Sequence, residues 1–148
     1  MLRTIHPIAG VLATLTIATF WLSTALTELF ASKAAVTAVK TAIPWGFLLL
    51  IPALAVAGGT GIALAKGQRT GLVGAKFRRM PFVAANGLLV LIPSALYLSF
   101  KAHAAEFDGA FYAVQALELV AGAVNLVLLG LNMRDGLKMK QRFVWQRP

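Results

Sequence analysis

The stretch that decides the fold is residues 40–65, KTAIPWGFLLLIPALAVAGGTGIALA, in which only the first residue is charged. An apolar run of this length can cross a hydrocarbon core as an α-helix, which needs about 20 residues. Three further long apolar runs occupy most of the remaining chain, at residues 7–30, 80–101 and 110–133. The sequence therefore predicts an integral membrane protein with four transmembrane helices.

The composition and the short connections between the runs restrict the architecture further. Hydrophobic residues make up 59% of the chain and charged residues only 13%, whereas a soluble domain carries about 25% charged residues. The connections are too short to hold a soluble domain, so residues 1–148 form a single transmembrane domain. Helices satisfy their own backbone hydrogen bonds in lipid, and short connections force neighbouring helices to be antiparallel. We therefore expect an all-α, up-down-up-down bundle of four transmembrane helices.

The Lys and Arg residues predict the orientation of this bundle. Three of the 14 are assigned to one side, namely Lys33, Lys40 and Lys101. The others are assigned to the second side: Arg3, Lys66, Arg69, Lys76, Arg78, Arg79, Arg134, Lys138, Lys140, Arg142 and Arg147. Because short cytoplasmic loops are rich in Lys and Arg, both termini are predicted to be cytoplasmic.

The same basic residues indicate which partners to expect. They lie at the ends of apolar runs and not on one folded face, which argues against a nucleic-acid partner for this chain of net charge +9. The basic loop at residues 66–79 is expected to lie against anionic lipid headgroups, with an acidic protein surface as the second option.

The fourth apolar run carries a polar stripe at helical spacing. Its members are Phe111, Gln115, Glu118, Gly122, Asn125, Leu129 and Asn132. Alternating steps of four and three residues place them on one helix face, which must be turned away from lipid. Glu118 lies near the predicted middle of the bilayer, where an ionised carboxylate facing lipid costs at least a few kcal/mol. Gln115, Glu118 and Asn125 are therefore predicted either to join helices by hydrogen bonds or to relay protons.

His6 opens the first apolar run, and Gly10 follows one helical turn later. A neutral imidazole can ligate haem iron, and a glycine beside it leaves room for the flat porphyrin ring. The alternative is an interfacial histidine that hydrogen-bonds a lipid headgroup or a neighbouring loop.

The second histidine, His103, lies past the end of the third run, on the side opposite His6. A transmembrane helix of this length separates the two by roughly 30 Å or more, which excludes a bis-histidine haem within one chain. A second ligand to a haem at His6 would be Met80, or His6 of a second copy in a homodimer. His103, Glu106 and Asp108 also form a loose group with ligand types suited to a divalent cation, although their spacing matches no metal motif. The alternative is a solvated loop that binds no metal.

Motifs of known enzymes are missing from the chain. It contains no cysteine, no metal-protease helix, no phosphate-binding loop and no nucleophile elbow. The sequence therefore identifies no catalytic residues, and it favours a role other than that of an enzyme on its own while leaving the question open.

Three segments resemble those of small four-helix inner-membrane proteins of proteobacteria: residues 2–10 (LRTIHPIAG), 79–87 (RMPFVAANG) and 132–136 (NMRDG). This resemblance extends over nearly the whole chain and implies a multi-pass protein of a bacterial inner membrane. More distantly, the four-helix unit with a histidine near one face resembles b-type cytochromes and the membrane anchors of succinate dehydrogenase. Those families supply paired histidines, which this chain lacks, so the implied haem ligation extends to His6 alone.

The first functional hypothesis is a haem b protein or subunit for electron transfer. His6 would ligate the iron and Gly10 would admit the ring, while Asn86, Asn132 or Arg3 would contact the propionates or orient the ligand. The alternative is a non-enzymatic scaffold or accessory subunit of a larger membrane complex. A proton- or ion-coupled carrier that uses Glu118 is the third hypothesis.

Overall fold

A computed structural model of the chain describes residues 1–67 and 70–145, with side chains as far as Lys138. The described residues form α1 (Leu2–Phe30), α2 (Lys33–Ala65), α3 (Gly71–Asn86), a π-helical segment (Gly87–Leu91), α4 (Ile92–His103) and α5 (Gly109–Trp145). No strand occurs in this part of the chain. The all-α prediction is confirmed.

Four continuous helical stretches are long and apolar enough to cross a membrane: Leu2–Phe30, Lys33–Ala65, Gly71–His103 and Gly109–Lys138. Many large apolar side chains on these helices remain exposed, among them Leu15, Leu48, Leu89 and Val120. Such a surface is compatible with contact to lipid tails and not with water. The protein is therefore a multi-pass helical membrane protein.

The first three spans begin before the predicted apolar runs, because the helices extend through basic residues such as Arg3, Lys33 and Lys76. Ser32 caps α2 by accepting a hydrogen bond from the backbone N–H of Ala35 at 3.4 Å. This cap places Lys40 two turns inside α2 and not in a loop. In the third span, α3 begins at Gly71, so Pro81 lies inside the helix and not at its start.

Contacts between side chains confirm that neighbouring helices are antiparallel. His6, near the start of α1, contacts Ala57, near the end of α2, whereas Thr37 near the start of α2 donates to the Ala102 carbonyl at the end of α4. We call the end of the bundle with His6 the terminal end. The end with the connections at residues 31–32 and 104–108 is called the loop end.

Two glycines allow α1 to approach its neighbours closely. A Cβ atom on Gly122 of α5 would lie 2.8 Å from Trp21 of α1, and one on Gly46 of α2 would overlap the Phe20 ring. The Trp21 indole N–H then donates to the Leu119 carbonyl oxygen at 2.8 Å. These contacts fix α1 between α2 and α5.

The predicted stripe of α5 is the buried face of that helix. Phe111, Gln115, Asn125, Leu129 and Asn132 are all buried, with Phe111 fully inaccessible. The side chain of Glu118 is 13% exposed. The inward orientation predicted from the spacing is therefore confirmed.

Candidate functional site

A cavity of about 610 Å³ lies among the four spans. Most of its wall is apolar, including the rings of Phe20, Trp21 and Phe47. The charged, imidazole, amide and hydroxyl side chains of the wall are His6, Thr24, Lys76, Glu118 and Asn125. Cavities of this volume and character hold small organic ligands in many proteins.

The cavity follows from the way in which the third span packs. Its first part, α3, makes its principal inter-helix contacts with α5, whereas α2 packs against α1 and α4. α2 and α3 therefore diverge towards the terminal end and leave space between them. The π-helical segment Gly87–Leu91 separates α3 from α4 and contributes Gly87, Leu88 and Leu91 to the wall. Such π-helical segments are frequent at functional sites.

His6 is held at the terminal end of the cavity by its Nδ1 atom. This nitrogen lies 3.0 Å from the Ala57 carbonyl oxygen and 3.1 Å from the Thr60 hydroxyl oxygen. Because a carbonyl oxygen only accepts hydrogen bonds, Nδ1 must carry the proton. In the neutral imidazole Nε2 then has a free lone pair, and it makes no hydrogen bond within the described residues.

Gly61 provides the space for this arrangement. A Cβ atom at Gly61 would lie 3.1 Å from His6 Cε1 and 3.6 Å from His6 Nδ1. The imidazole therefore packs directly against the backbone of α2, and its ring plane is restricted by that contact.

Two side chains of α3 share this end of the cavity wall with His6. Lys76 has no ion pair or hydrogen bond among the described residues, although its Nζ lies 3.7 Å from the position of a Cβ atom on Gly136. Met80 also lines the cavity, and its Sδ accepts a hydrogen bond from Asn132 Nδ2 at 3.3 Å. The predicted residues His6 and Met80 thus border the same cavity.

The other residues predicted to contact a haem lie outside the wall of the cavity. Asn86 Nδ2 donates to the Ala121 carbonyl oxygen at 2.8 Å and to Asn125 Oδ1 at 3.0 Å, so it joins α3 to α5. Asn132 contacts Arg79 and Met80. A Cβ atom on Gly10 would meet nothing within 4 Å, so no neighbour among the described residues requires a glycine there.

A polar cluster occupies the half of the bundle nearer the loop end. We define the polar cluster as Thr24 and Glu28 of α1, Lys40 of α2, and Gln115 and Glu118 of α5. The Lys40 ammonium forms an ion pair with the Glu118 carboxylate and lies 3.4 Å from the Thr24 hydroxyl. Lys40 is 1% exposed. Burial of this depth requires an opposite charge, which Glu118 supplies.

Two oxygen atoms of the polar cluster are buried without a hydrogen-bond partner among the described residues. They are Oε1 of Glu28 and Oε1 of Gln115. Gln115 is only 4% exposed, and its Nε2 lies 3.3 Å from the Glu118 carboxylate. Buried polar atoms in native proteins are nearly always paired, so the polar cluster has more acceptors than its fixed donors satisfy.

The pairing of Lys40 with Glu118 was not expected from the sequence. Lys40 is the first residue of the apolar run, which suggested a loop position at the loop end. Ser32 is the sequence feature that could have predicted this pairing. A helix cap at Ser32 starts α2 at Lys33, which places Lys40 inside the helix. Glu118 is then the acid at a matching depth on α5.

The acidic residues predicted as metal ligands at the loop end are bound by a lysine. Lys101 Nζ lies 2.9 Å from Glu106 and 2.6 Å from Asp108. No group of three or more His, Cys, Asp or Glu residues positioned to hold a metal ion occurs in the part of the chain that the structure describes. Asp108 also accepts the backbone N–H of Phe111 at 2.9 Å and so caps α5. The hydrogen bond from Lys101 lowers the pKa of the Asp108 carboxyl, and the cap contributes in the same direction.

The basic segment predicted to lie on lipid headgroups is largely helical. Lys76, Arg78 and Arg79 belong to α3, and Arg79 pairs with the buried Asp135 carboxylate at 2.6 Å. Arg79 is therefore an inter-helix contact. Four of the basic residues on this side have side chains outside the described residues: Arg69, Lys140, Arg142 and Arg147.

Comparison of the chain with protein-family models, with curated proteins and with solved structures gives no significant match. The comparisons therefore do not support the resemblance to b-type cytochromes or to succinate dehydrogenase anchors. The fold and the composition establish a small helical membrane protein, and its activity has to be inferred from the site itself.

Proposed function

We propose that the protein binds haem b in the cavity through His6 and serves in electron transfer. One observation carries this proposal: His6 donates its Nδ1 proton to the Ala57 carbonyl oxygen, which leaves the Nε2 lone pair on a residue of the cavity wall. Histidines that ligate metals typically donate their other ring N–H to a carbonyl or carboxylate, which fixes the tautomer and the ring orientation. The hydrogen bond to the Ala57 carbonyl oxygen fixes the tautomer and ring orientation of His6 in the same way.

The remainder of the cavity suits the same ligand. Its apolar wall matches a large aromatic macrocycle, and its volume of about 610 Å³ lies in the range of small-molecule sites. Lys76, at the same end as His6, has a charge that complements a propionate. When bound, haem iron supplies one-electron redox chemistry, with a potential set by its axial ligands and surroundings.

Two residues could supply a second ligand to the haem iron. Met80 is one, since its thioether lines the cavity and its position is held by Asn132. A second copy of His6 across a homodimer interface is the other. The two are distinguishable because a Met80→Leu substitution would change the spectrum only in the first case.

The absorption spectrum of the protein purified in mild detergent, after expression with added haem precursor, tests this proposal. We expect a Soret band that shifts on reduction with dithionite and that is lost in His6→Ala. His103→Ala is the matched control, because His103 lies at the loop end of the bundle and its loss should leave the band unchanged.

A colourless parent protein, folded and obtained from cells with ample haem, would contradict the haem proposal. The same holds if His6→Ala and the parent protein bind equal amounts of pigment. Either result would favour the alternative of a non-enzymatic accessory or scaffold subunit, in which His6 serves only to join α1 to α2.

We further propose that the terminal end faces the cytoplasm of a bacterium and that the protein resides in its inner membrane. The burial of Lys40 in an ion pair strengthens the charge asymmetry, because it removes one cation from the loop end. The chain contains no cysteine, so single substitutions such as Ser32→Cys and Gly67→Cys can be labelled selectively. A membrane-impermeant maleimide added to intact spheroplasts should label Ser32→Cys and not Gly67→Cys, and the opposite pattern would reverse the orientation.

A further inference from the structure

The polar cluster contains one basic and two acidic groups. The charged groups that act on Glu28 from the helices packed against α1 are Lys40 of α2 and Glu118 of α5. Two other nearby cations have different partners, since Lys101 binds Glu106 and Asp108 and Lys33 lies over the Phe107 ring. If all groups were ionised, the polar cluster would carry one uncompensated negative charge.

A single proton removes this excess charge. An uncompensated carboxylate inside a membrane is strongly unfavourable, so an apolar environment favours the neutral combination of one ion pair and one carboxylic acid. Lys40 and Glu118 are in direct contact, whereas Glu28 is not hydrogen-bonded to Lys40. Glu28 is therefore the group on which a proton is most favourable.

The unpaired oxygen atoms lead independently to the same conclusion. Oε1 of Glu28 and Oε1 of Gln115 are both buried acceptors without a donor among the described residues, and Gln115 is 4% exposed. A proton on Glu28 turns one of these acceptors into an O–H donor. Protonation of Glu28 thus lowers both the net negative charge of the polar cluster and its excess of hydrogen-bond acceptors over donors.

We propose that Glu28, Lys40 and Glu118 form a proton-binding site that connects the loop end with the cavity. Glu28 is half-buried and lies two residues before the end of α1, so it can exchange a proton with water at the loop end. In that exchange hydronium gives its proton to the Glu28 carboxylate, which leaves water and a carboxylic acid. Glu118 lines the cavity and is ion-paired with Lys40, and the charges of both residues act on Glu28 through space. The ligand of this site is the proton, and the inference does not depend on haem.

Infrared spectroscopy of the full-length protein in liposomes tests the site, because a protonated carboxylic acid has a C=O stretching band that a carboxylate lacks. We expect such a band near neutral pH, shifted when the protein is labelled with ¹³C-glutamate and unshifted when it is labelled with ¹³C-aspartate. The band should be lost or displaced in Glu28→Gln and retained in Glu106→Gln, which changes an exposed glutamate of the loop end.

The absence of the band near neutral pH would overturn the proposal, as would its shift with ¹³C-aspartate or its unchanged persistence in a folded Glu28→Gln variant. If Glu28→Gln fails to fold, isotope labelling of the unsubstituted chain and of Glu106→Gln decides the question. None of these measurements requires a bound cofactor, so their outcome is separate from that of the haem proposal.

Discussion

The Lys40 ammonium of α2 and the Glu118 carboxylate of α5 form a buried ion pair in the half of the bundle nearer the loop end. The two residues are distant in the sequence, and their contact joins the second span to the fourth. Gln115 and Thr24 add hydrogen-bonding groups around the pair. It follows that the Glu118 carboxylate is acceptable in the bundle only while Lys40 is present.

Removal of Lys40 alone should destabilise the bundle far more than removal of both partners of this pair. We expect Lys40→Met to lower the free energy of unfolding by about 3–5 kcal/mol, because it leaves the buried Glu118 carboxylate uncompensated. Glu118→Met should cost less, because Glu28 can then lose its proton and compensate Lys40. The double variant should recover most of the loss caused by Lys40→Met. Unfolding in mixed detergent and SDS micelles measures the difference, with Lys33→Met as the control at an exposed lysine. Additive losses in the double variant would show that the two charges do not stabilise each other.

Substitution of Gly61 should displace the His6 ring. A Cβ atom there lies 3.1 Å from His6 Cε1, and the further methyl groups of valine cannot be accommodated without movement of the imidazole. We expect Gly61→Val to weaken haem binding at least tenfold in a haem titration followed by absorbance. Gly59→Val is the matched control, since a Cβ at Gly59 meets nothing within 4 Å. Equal affinities of the two variants would show that the contact between His6 and Gly61 does not position the ring.

The pair of Arg79 and Asp135 should stabilise the terminal end of the bundle. Asp135 is 2% exposed and its Oδ2 lies 2.6 Å from Arg79 Nη1, whereas the contact to the exposed Arg134 is longer, at 3.5 Å. We expect Arg79→Gln to lower the melting temperature by several degrees and Arg134→Gln to change it little. Thermal unfolding followed by circular dichroism checks this order, and a reversed order would assign the stabilising contact to Arg134.

Asp108 should make the loop end sensitive to acid. Its pKa is lowered in the folded protein, chiefly by the hydrogen bond from Lys101, so its stabilising contribution is complete above the ordinary carboxyl pKa of about 4. The contribution is lost as the pH falls through the lower folded value. The melting temperature of the parent protein should therefore fall more steeply on acidification than that of Asp108→Asn. Glu106→Gln serves as the control, and parallel pH profiles of the parent protein and Asp108→Asn would contradict the assignment.

The sequence predicted the spans and the inward face of α5 because both depend on periodicity and hydrophobicity within one segment. It did not predict the partners of Lys40 or Arg79, because each contact joins two helices whose relative register is set by packing. A shift of the start of α2 from residue 40 to Lys33 was enough to move Lys40 from a loop into the bundle.

The candidate site also has one part that the sequence predicted and another part that depends on packing between helices. His6 was identified from its place at the start of the first span. The features that favour ligation, namely the Ala57 carbonyl oxygen at Nδ1 and the Gly61 backbone beside the ring, belong to α2. The divergence of α2 and α3 that creates the cavity is also a property of three-dimensional packing, which a hydropathy pattern does not contain.

The most direct test of the central claim is chemical replacement of the His6 side chain. In His6→Gly the Soret band should be absent, and added imidazole should restore it, because the free base can occupy the place of the missing side chain and offer its nitrogen to the iron. A band that is present in His6→Gly without imidazole, or that imidazole fails to restore in a folded variant, would contradict axial ligation by His6.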